Sequence, residues 1–285
     1  MIKLIVDNPE NKLRCDAYIA KQDTNLSRSM LKQLFYDQKI KVNDKICKPK
    51  TIVSGGDKIE INFEFPKLVH PPDDSLEIIF EDQDCVVIDK PSGMLTHSKG
   101  NYNPEHTVAS LLRAKINQEL TGNRAGIVHR LDRGTSGVMI VAKNSNSLNW
   151  LQKQFSQRKV KKVYSAIVKG NIEPKQAIID IPLARDPNNP KKFRADHHGK
   201  PSQTEYHLSN EKDDTSYLEL IPKTGRTHQI RVHLAHIGHP ILGDELYGGP
   251  KGDRLYLHAS SLELTLLGGN RQVFKSQLPT NWDRV

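Results

Sequence analysis

The chain has 285 residues, a length that predicts one or two domains at roughly 150 residues each. Lysine and arginine number 42 against 33 aspartate and glutamate residues, which gives a formal net charge of +9. The 36% hydrophobic content excludes a disordered chain, and the longest uninterrupted apolar run, residues 137–142, is too short to span a membrane. The N-terminus also lacks the apolar stretch of a signal peptide. We therefore expect a globular cytoplasmic protein with a polyanionic partner, because clustered positive charge gains affinity by releasing counterions from phosphates.

The cysteine and glycine patterns argue against bound cofactors. Cys15, Cys47 and Cys85 are widely separated and form no C-x-x-C pair, which is typical of reduced structural thiols rather than of disulfides or a zinc site. The chain contains neither the G-x-x-x-x-G-K-[ST] loop that binds nucleotide phosphates nor the G-x-G-x-x-G fingerprint of dinucleotide enzymes. We therefore expect no redox chemistry, no metal and no nucleotide cofactor.

The first helix of the chain is predicted at residues 29–35, with Ser27 as its N-cap. Its apolar residues fall on one face at helical spacing, so Arg28 and Lys32 are expected to point elsewhere, where they can contact a polyanion. The apolar face consists of Leu31, Leu34 and Phe35.

Strands follow this helix and complete a small α/β domain over residues 1–66. Alternating polar and apolar residues predict strands at 39–43 and 58–63, with a Gly-Gly-Asp turn at 55–57 between them. Residues 67–75 are rich in proline, which restricts both itself and the residue before it. We therefore expect a linker there and a second domain over residues 76–285.

The second domain alternates short apolar runs with two helical patterns, which indicates an α+β fold. The helices are predicted at 107–118 and 145–156, and Asn144 is the expected cap of the second. Strands are predicted at 77–80, 85–89, 137–142, 163–168, 217–221 and 255–259.

Two basic runs lie in this domain. Residues 144–170 contain six cations and no acidic residue, and residues 191–194 add three cations and a phenylalanine. Either run alone fits a solvated surface as well as a binding site, but together they favour an anion-binding groove. The six cations are Lys153, Arg158, Lys159, Lys161, Lys162 and Lys169.

The densest polar segment is His-Arg-Leu-Asp-Arg-Gly-Thr-Ser-Gly at residues 129–137, directly before an apolar strand. Asp132 lies between Arg130 and Arg133, and nearby positive charge favours the ionised form of a carboxyl group. A carboxylate in this position can act as a nucleophile. Judged from the local residues alone, an aspartate between two arginines is more often part of a structural ion pair than a nucleophile. The local residues leave both interpretations of Asp132 open.

Two other interpretations of polar residues are weaker. His129, Asp132 and Ser136 contain the residue types of a hydrolase triad, but such triads come from positions distant in sequence and the chain has no G-x-S-x-G elbow. A group of histidines in residues 228–239 lacks the H-E-x-x-H spacing and accompanying cysteines of a zinc site. Structural or phosphate-contacting roles fit these four better: His228, His233, His236 and His239.

The 129–137 segment resembles the central motif of the RluA/RluD-type RNA pseudouridine synthases. Residues 90–97, KPSGMLTH, and residues 224–248, TGRTHQIRVHLAHIGHPILGDELYG, resemble further segments of that family. The K-x-Y of residues 162–164 and the GKPSQTEY of residues 199–206 extend the resemblance, which spans about residues 76–275. Seven named positions in a nine-residue motif make a chance match rare.

The N-terminal residues resemble the small RNA-binding domain named after ribosomal small-subunit protein S-four. The matching residues are Ser-Arg-Ser at 27–29, Lys-Val-Asn at 41–43 and Gly-Asp at 56–57. Gln38 and Asp44 stand where the usual pattern has glycines. The resemblance implies that the helix carrying Arg28 and Lys32 contacts RNA.

The family resemblance implies a catalytic domain on a mixed, mainly antiparallel sheet, and a reaction in which a uridine is flipped out of its stack and isomerised. Asp132 corresponds to the nucleophile, Tyr164 to the tyrosine that stacks on the flipped base, and Arg231 to the arginine that pairs with the nucleophile. A bidentate guanidinium suits that pairing. The substrate-binding residues implied are Arg130, Lys162, Arg226, His228 and Ile230.

The expected function is therefore the conversion of uridine to pseudouridine in structured RNA by a monomeric enzyme that needs no cofactor. Large-subunit ribosomal RNA is favoured because the added N-terminal domain is typical of the family's ribosomal members, and transfer RNA is the alternative. A non-catalytic RNA-binding or ribosome-assembly protein of the same fold is a further alternative. Such a protein would be expected to have lost Asp132, Tyr164 or Arg231, and all three are present.

Overall fold

The structure is a computed structural model that describes residues 1–7, 12–22, 24, 26, 28–63, 76–98, 105–280 and 282. The chain divides into two compact units, Met1–Asp73 with Ser98–His106, and Asp74–His97 with Thr107–Val285. The predicted cap Ser27 and the predicted linker 67–75 lie outside the described residues. Among the described helices, none is both long enough and apolar enough to cross a membrane.

The first unit is a small α/β body. Its main sheet has four strands in the order β1-β6-β3-β4, and β2 pairs with β5 beside it. The buried thiols of Cys15 and Cys47 are free, with their Sγ atoms 3.9 Å apart. The elements are β1 (Ile2–Ile5), β2 (Leu13–Arg14), α1 (Cys15–Lys21), α2 (Arg28–Tyr36), β3 (Ile40–Val42), β4 (Lys45–Ile46), β5 (Ile52–Val53) and β6 (Lys58–Ile61).

Helix α2 confirms the predicted division between buried and exposed faces. Leu31, Leu34 and Phe35 are buried in the core of the unit, whereas Arg28 and Lys32 are exposed. The apolar residues recur every three or four positions, so helical geometry places them on the stripe that packs against the sheet.

The turns on either side of β3 have the backbone conformation for which glycine is the usual residue. Gln38 and Asp44 have φ values of 56° and 65°, in the left-handed region. The neighbouring Asn43 also has a positive φ and fastens the second turn, since its side chain donates to Asp57 Oδ1 (2.8 Å) and accepts from the Lys58 N–H (2.9 Å). Both turns therefore adopt the left-handed conformation without glycine, and Asn and Asp tolerate this conformation better than most residues.

The second unit is built on a nine-stranded sheet in the described residues, in the order β11-β14-β15-β10-β16-β9-β8-β7, with β17 paired to β16. Among the described strands of this sheet, only β9 and β16 pair in parallel, which confirms a mixed, mainly antiparallel sheet in an α+β fold. The elements are β7 (Glu77–Glu81), β8 (Cys85–Lys90), α3 (Val108–Leu111), β9 (Ser136–Ala142), α4 (Ser145–Ser156), β10 (Lys161–Lys169), β11 (Gln176–Asp180), β12 (Leu183–Arg185), β13 (Phe193–Ala195), β14 (Gln203–Lys212), β15 (Thr215–Pro222), α5 (Gln229–His236), β16 (Leu257–Thr265) and β17 (Arg271–Lys275).

Strand β9 is buried along its whole length because it has core on both faces. Met139 and Val141 point into one cluster, which the region of α3 covers, and Val138 and Ile140 point into another, which α4 covers. The sequence of a strand that is covered on both faces is a continuous run of apolar residues. The Asn144 side chain accepts from the Ser147 N–H at 2.9 Å, so the predicted cap and bounds of α4 are confirmed.

Two predicted elements differ from the structure by more than two residues at one end. The helix expected at 107–118 is only one turn, α3, closed by a capping box between Thr107 and Ser110, and a short 3₁₀ turn follows at Arg113–Lys115. Leu112 and Ile116 are both buried, so tertiary packing overrides helical propensity here. The strand expected at 255–259 begins at Leu257, after Tyr256, whose N–H donates to Leu242 O outside the strand. It continues to Thr265 because its second half pairs with β17.

Candidate active site

The loop that carries Asp132 is held in place by the loop that follows β8. The Thr96 hydroxyl accepts from the Leu131 N–H (3.3 Å) and donates to Leu131 O (2.9 Å). The Gly93 N–H donates to Arg133 O at 2.8 Å. The two sequence motifs therefore fold against each other, and bonds on both sides of Asp132 fix its backbone at the start of β9.

Lys90, which the sequence analysis did not single out, lies beneath this junction. Its side chain is fully buried, and its Nζ donates to Pro91 O and Met94 O (2.8 Å each) and to Arg133 O (3.3 Å). Burial lowers the pKa of Lys90 to about 7, against the opposing effect of the Asp132 charge. The sequence feature that could have identified Lys90 as a site residue is its position at the start of the 90–97 motif.

A cleft of about 570 Å³, open to solvent, lies beside Asp132. All eight site residues that the sequence predicted in the second unit line this one cleft: Arg130, Asp132, Lys162, Tyr164, Arg226, His228, Ile230 and Arg231.

Two side chains from α5 and its N-cap approach the Asp132 carboxylate. Arg231 Nη1 is 3.6 Å from Asp132 Oδ2, and His228 Nε2 is 3.8 Å from the same oxygen. Both come from far along the chain and not from the arginines that flank Asp132 in sequence. Helix α5 therefore supplies the donors that face the carboxylate.

Arg231 differs from the expectation in one respect, since its bidentate partner is Asp244. Its Nε and Nη2 lie 2.7 and 2.6 Å from the two carboxylate oxygens of Asp244, whose side chain is 1% exposed. The guanidinium carbon is also 5.0 Å from the centre of the Tyr247 ring. Because that edge of the guanidinium is occupied, only Nη1 remains to face Asp132. Asp244 and Tyr247 were not among the predicted site residues, although both lie within the 224–248 motif.

Strand β10 contributes Tyr164 and Lys162 to the cleft. Tyr164 is partly buried, and burial, reinforced by the charge of Asp132, raises its pKa above the usual range, so the phenol keeps its proton. Lys162 Nζ donates to Thr224 O at 3.0 Å, and burial lowers the pKa of Lys162 to about 8. The two side chains share a face because they are two positions apart on a strand. Ile230 is buried and gives the cleft an apolar wall.

A second, cationic cleft continues from the first. Arg130, Lys162 and Arg226 line both clefts, and Arg158 and Lys223 line the second one. The exposed Arg226 is steadied by a hydrogen bond from its Nε to Pro201 O (3.1 Å). Of the first basic run, Arg158 and Lys162 belong to this lining. The convergence of these cations gives a surface suited to phosphate groups.

Arg28 and Lys32 lie on the first unit. They line a groove between α1 and α2 together with Arg14 and Lys21, and Leu31 and Phe35 contribute apolar surface to it. The groove therefore combines positive charge with apolar contact area.

The hydrolase triad is not assembled. The His129 ring stacks on Phe155 with centroids 4.6 Å apart, and its Nε2 accepts from the Ile140 N–H at 3.1 Å. Ser136 instead contacts His258 Nδ1 at 2.8 Å. His129 and Ser136 therefore contribute to the packing around β9 and not to a catalytic triad.

The histidines of residues 228–239 also have separate partners. His233 contacts Thr204 Oγ1 (2.9 Å) and Ser202 Oγ (3.1 Å), and His239 Nδ1 contacts Lys169 O (2.9 Å). Within the described ranges, no three His, Cys, Asp or Glu side chains are grouped as metal ligands.

Comparison with known proteins shows that this chain is similar to RNA-modifying enzymes. A family model described as RNA pseudouridylate synthase matches residues 84–236. Ribosomal large subunit pseudouridine synthase D of Escherichia coli K12 is 37% identical over 284 residues, covering 92% of this chain and 86% of that protein. The protein of that name from Borreliella burgdorferi is 38% identical over 285 residues, with coverages of 95% and 87%. The solved structure of human RNA pseudouridylate synthase domain containing 1 has 26% identity and a TM-score of 0.59, covering 75% of this chain and 87% of that one.

The chain belongs to the RNA pseudouridylate synthase family. It is an RNA pseudouridine synthase, an isomerase with RNA as its substrate.

Proposed function

We propose that this enzyme isomerises uridine to pseudouridine in large-subunit ribosomal RNA, with Asp132 as the nucleophile. The observation that carries the proposal is the convergence of Asp132, Tyr164 and Arg231 in one cleft lined by cations. The choice of RNA is supported by the relatives named ribosomal large subunit pseudouridine synthase D, which match along most of the chain.

The reaction exchanges one bond to the ribose for another. The bond between uracil N1 and ribose C1′ breaks, a bond between uracil C5 and C1′ forms, the proton on C5 leaves and N1 gains a proton. Atoms balance within the nucleotide, so no external group is consumed. The Asp132 carboxylate forms a transient covalent bond, either to C1′ or to the pyrimidine ring, and leaves again when the new bond closes.

The side chains around Asp132 suit a base that has left its stack. Extrusion costs a few kcal/mol, and stacking on an aromatic ring returns about 1–3 kcal/mol. Tyr164 provides that ring and Ile230 an apolar contact, while Arg130 is exposed at the edge of the cleft, where it can fill the gap left in the RNA. The cations of the second cleft then contact the phosphates on either side of the flipped nucleotide.

The first unit is proposed to be an S-four-like RNA-binding domain whose groove, with Arg28 and Lys32, holds a neighbouring part of the RNA. The proposal rests on the exposed cations of α2 and on the turns around β3 that retain glycine-type conformations. We further infer that the enzyme acts as a monomer in the cytoplasm, where ribosomal RNA is available.

The test is tritium release from RNA labelled at uracil C5, with large-subunit ribosomal RNA and transfer RNA transcripts assayed in parallel. We expect release from the ribosomal transcript, and we expect the Asp132→Asn variant to lower it by at least about 10³-fold because an amide is not a nucleophile of this kind. RNA affinity should change little, because Asp132 contributes chemistry rather than phosphate contacts.

Asp186→Asn is the matched control, since this carboxylate caps a turn by accepting from the Asn188 N–H, away from the cleft lining. Full activity in Asp132→Asn would refute the nucleophile assignment. Release from transfer RNA alone would refute the choice of ribosomal RNA.

A further inference from the structure

His228 occupies an unusual position at the N-cap of α5, because its φ of 58° is left-handed for a residue other than glycine. Its side chain is 17% exposed, with Nε2 facing Asp132 and Nδ1 2.7 Å from the hydroxyl of Tyr247. Non-glycine residues held in this conformation cluster at functional sites, where the surrounding structure compensates for the strain. In this backbone conformation, both ring nitrogens of His228 face specific partners.

The hydrogen bonds around Tyr247 favour one tautomer of His228. The backbone N–H of Phe193 can only donate, and it does so to the Tyr247 hydroxyl oxygen at 2.9 Å. The hydroxyl keeps its proton for donation after this contact, and His228 Nδ1, 2.7 Å away, is placed to accept it. An imidazole that accepts at Nδ1 carries its proton on Nε2.

The surroundings of the other nitrogen favour the same tautomer. Asp132 Oδ2 is an acceptor, so an unprotonated Nε2 would place two lone pairs against each other. Burial lowers the pKa of His228, with the charges of Arg231 and Arg130 acting in the same direction and those of Asp132 and Asp244 opposing them. A lowered pKa leaves the ring neutral near pH 7.

We infer that His228 is a positioning residue for Asp132, a neutral imidazole that donates from Nε2 to the carboxylate and is fixed in that tautomer by the chain from Phe193 through Tyr247. The inference rests on the proposed role of Asp132 as nucleophile. The 3.8 Å separation is longer than a hydrogen bond, and contacts of this kind commonly tighten when substrate is bound. With Arg231 on the same oxygen, the two donors restrict the rotation of the carboxylate.

The neutral state has a chemical consequence. Arg231 already supplies one positive charge near Asp132, and a second full charge would stabilise the carboxylate further and weaken it as a nucleophile. A neutral N–H donor orients the carboxylate at a smaller cost in reactivity, because its hydrogen bond is weaker than that of a cation.

The first test reads the tautomer directly in the full-length enzyme. Nitrogen-15 labelling of histidine and long-range proton–nitrogen NMR at pH 7 distinguish the two ring nitrogens, and the His228→Gln variant identifies the signal. We expect Nε2 to be protonated and Nδ1 unprotonated, and we expect Tyr247→Phe to produce a mixture of tautomers. A ring protonated on Nδ1, or on both nitrogens, in the wild type would overturn the inference.

The second test separates orientation from binding. In single-turnover assays with saturating RNA, His228→Leu should lower the rate about 10- to 100-fold, the loss expected for one hydrogen bond to a charged group. His228→Gln keeps a side-chain N–H and should recover most of the rate, while the RNA dissociation constant stays close to that of the wild type in both variants. His236→Leu, at the exposed end of the same helix, is the matched control.

The outcomes distinguish this inference from the proposed function. A wild-type rate in His228→Leu, or equal losses in the Leu and Gln variants, would overturn the positioning role even if Asp132 proves essential. Failure of Asp132→Asn to lose activity would refute the nucleophile, while the NMR result would still report whether the tautomer is fixed as inferred.

Discussion

At the scale of single residues, Arg231 shows how one guanidinium serves two carboxylates. Its Nε–Nη2 edge is committed to the buried Asp244, and Nη1 alone faces Asp132. Lysine has a single ammonium group in place of this planar fork, so it cannot hold both carboxylates in the same geometry.

We therefore expect Arg231→Lys to lower the single-turnover rate about 10- to 100-fold, the loss of a charge-assisted hydrogen bond, with RNA affinity nearly unchanged. Arg271→Lys is the matched control, because Arg271 pairs with Glu263 on the exposed β16–β17 hairpin. Rates equal to the wild type in both variants would show that the guanidinium geometry does not matter.

Buried histidines make the protein sensitive to acid. Burial, aided by the charges of Arg124 and Arg130, lowers the pKa of His97 to about 4, whereas in the unfolded chain it is about 6.5. Between these values the unfolded state binds more protons than the folded state, so stability falls as the pH is lowered. We expect this residue alone to remove up to about 2 kcal/mol of the free energy of unfolding between pH 7 and pH 5.

Urea titrations at the two pH values measure this effect. The His97→Gln variant cannot take up that proton, so its free energy of unfolding should fall less steeply with pH than that of the wild type. His129, with a pKa lowered to about 3 by burial, contributes to the remaining slope in both proteins. Identical slopes in variant and wild type would contradict the assignment to His97.

At the scale of elements, the parallel pair of β9 and β16 determines where the Asp132 loop ends. Ser136 is opposite His258 and Gly137 is opposite Ala259 in this short pairing. Gly137 has a φ of 112°, and a Cβ there would lie 2.7 Å from Ala259 N. The glycine is therefore required both by its backbone conformation and by the close approach of the two strands.

Gly137→Ala should destabilise the protein by at least about 3 kcal/mol, since it combines backbone strain with a clash against main-chain atoms. Gly269→Ala is the control, because Gly269 also has a positive φ of 85° but a Cβ there would meet no atom within 4 Å. Thermal or urea unfolding compares the two. Equal losses would show that strain alone, and not the approach of β16, explains the requirement.

At the scale of the whole molecule, the net charge is +9, and cations line a cleft on each unit. A cation that contacts a phosphate steepens the dependence of binding on salt, whereas a solvated cation does not. Salt dependence therefore separates binding surfaces from general solubility.

For the double variant Arg28→Ala, Lys32→Ala we expect weaker RNA binding and a slope of log K against log salt reduced by up to about 2, one for each lost contact. Lys3→Ala, Lys58→Ala is the control pair, from the exposed face of β1 and β6. The two slopes are measured by RNA-binding titrations at several salt concentrations. A slope unchanged in the α2 variant would refute the role of the first unit in RNA binding.

Much of the fold was predictable because the spacing of apolar residues that marks a strand or a helix can be recognised within a short stretch of sequence. The continuous apolar run of residues 137–142 predicted β9, and the Asn144 cap predicted the start of α4. The helix expected at 107–118 failed because burial of Leu112 and Ile116 depends on distant partners. Strands with mixed polarity, such as β12 and β13, were not predicted because their pattern is not distinctive over three residues.

The sequence by itself determined the family, the mixed α+β class and the identity of the residues that line the cleft, because these are carried by motifs of fixed spacing. Only the tertiary structure decided how those residues are paired. Arg231 is shared with Asp244, and His228 is tied through Tyr247 to the backbone of Phe193. Such pairings join positions far apart in the chain, and their geometry depends on strand register and helix placement, which no local pattern specifies.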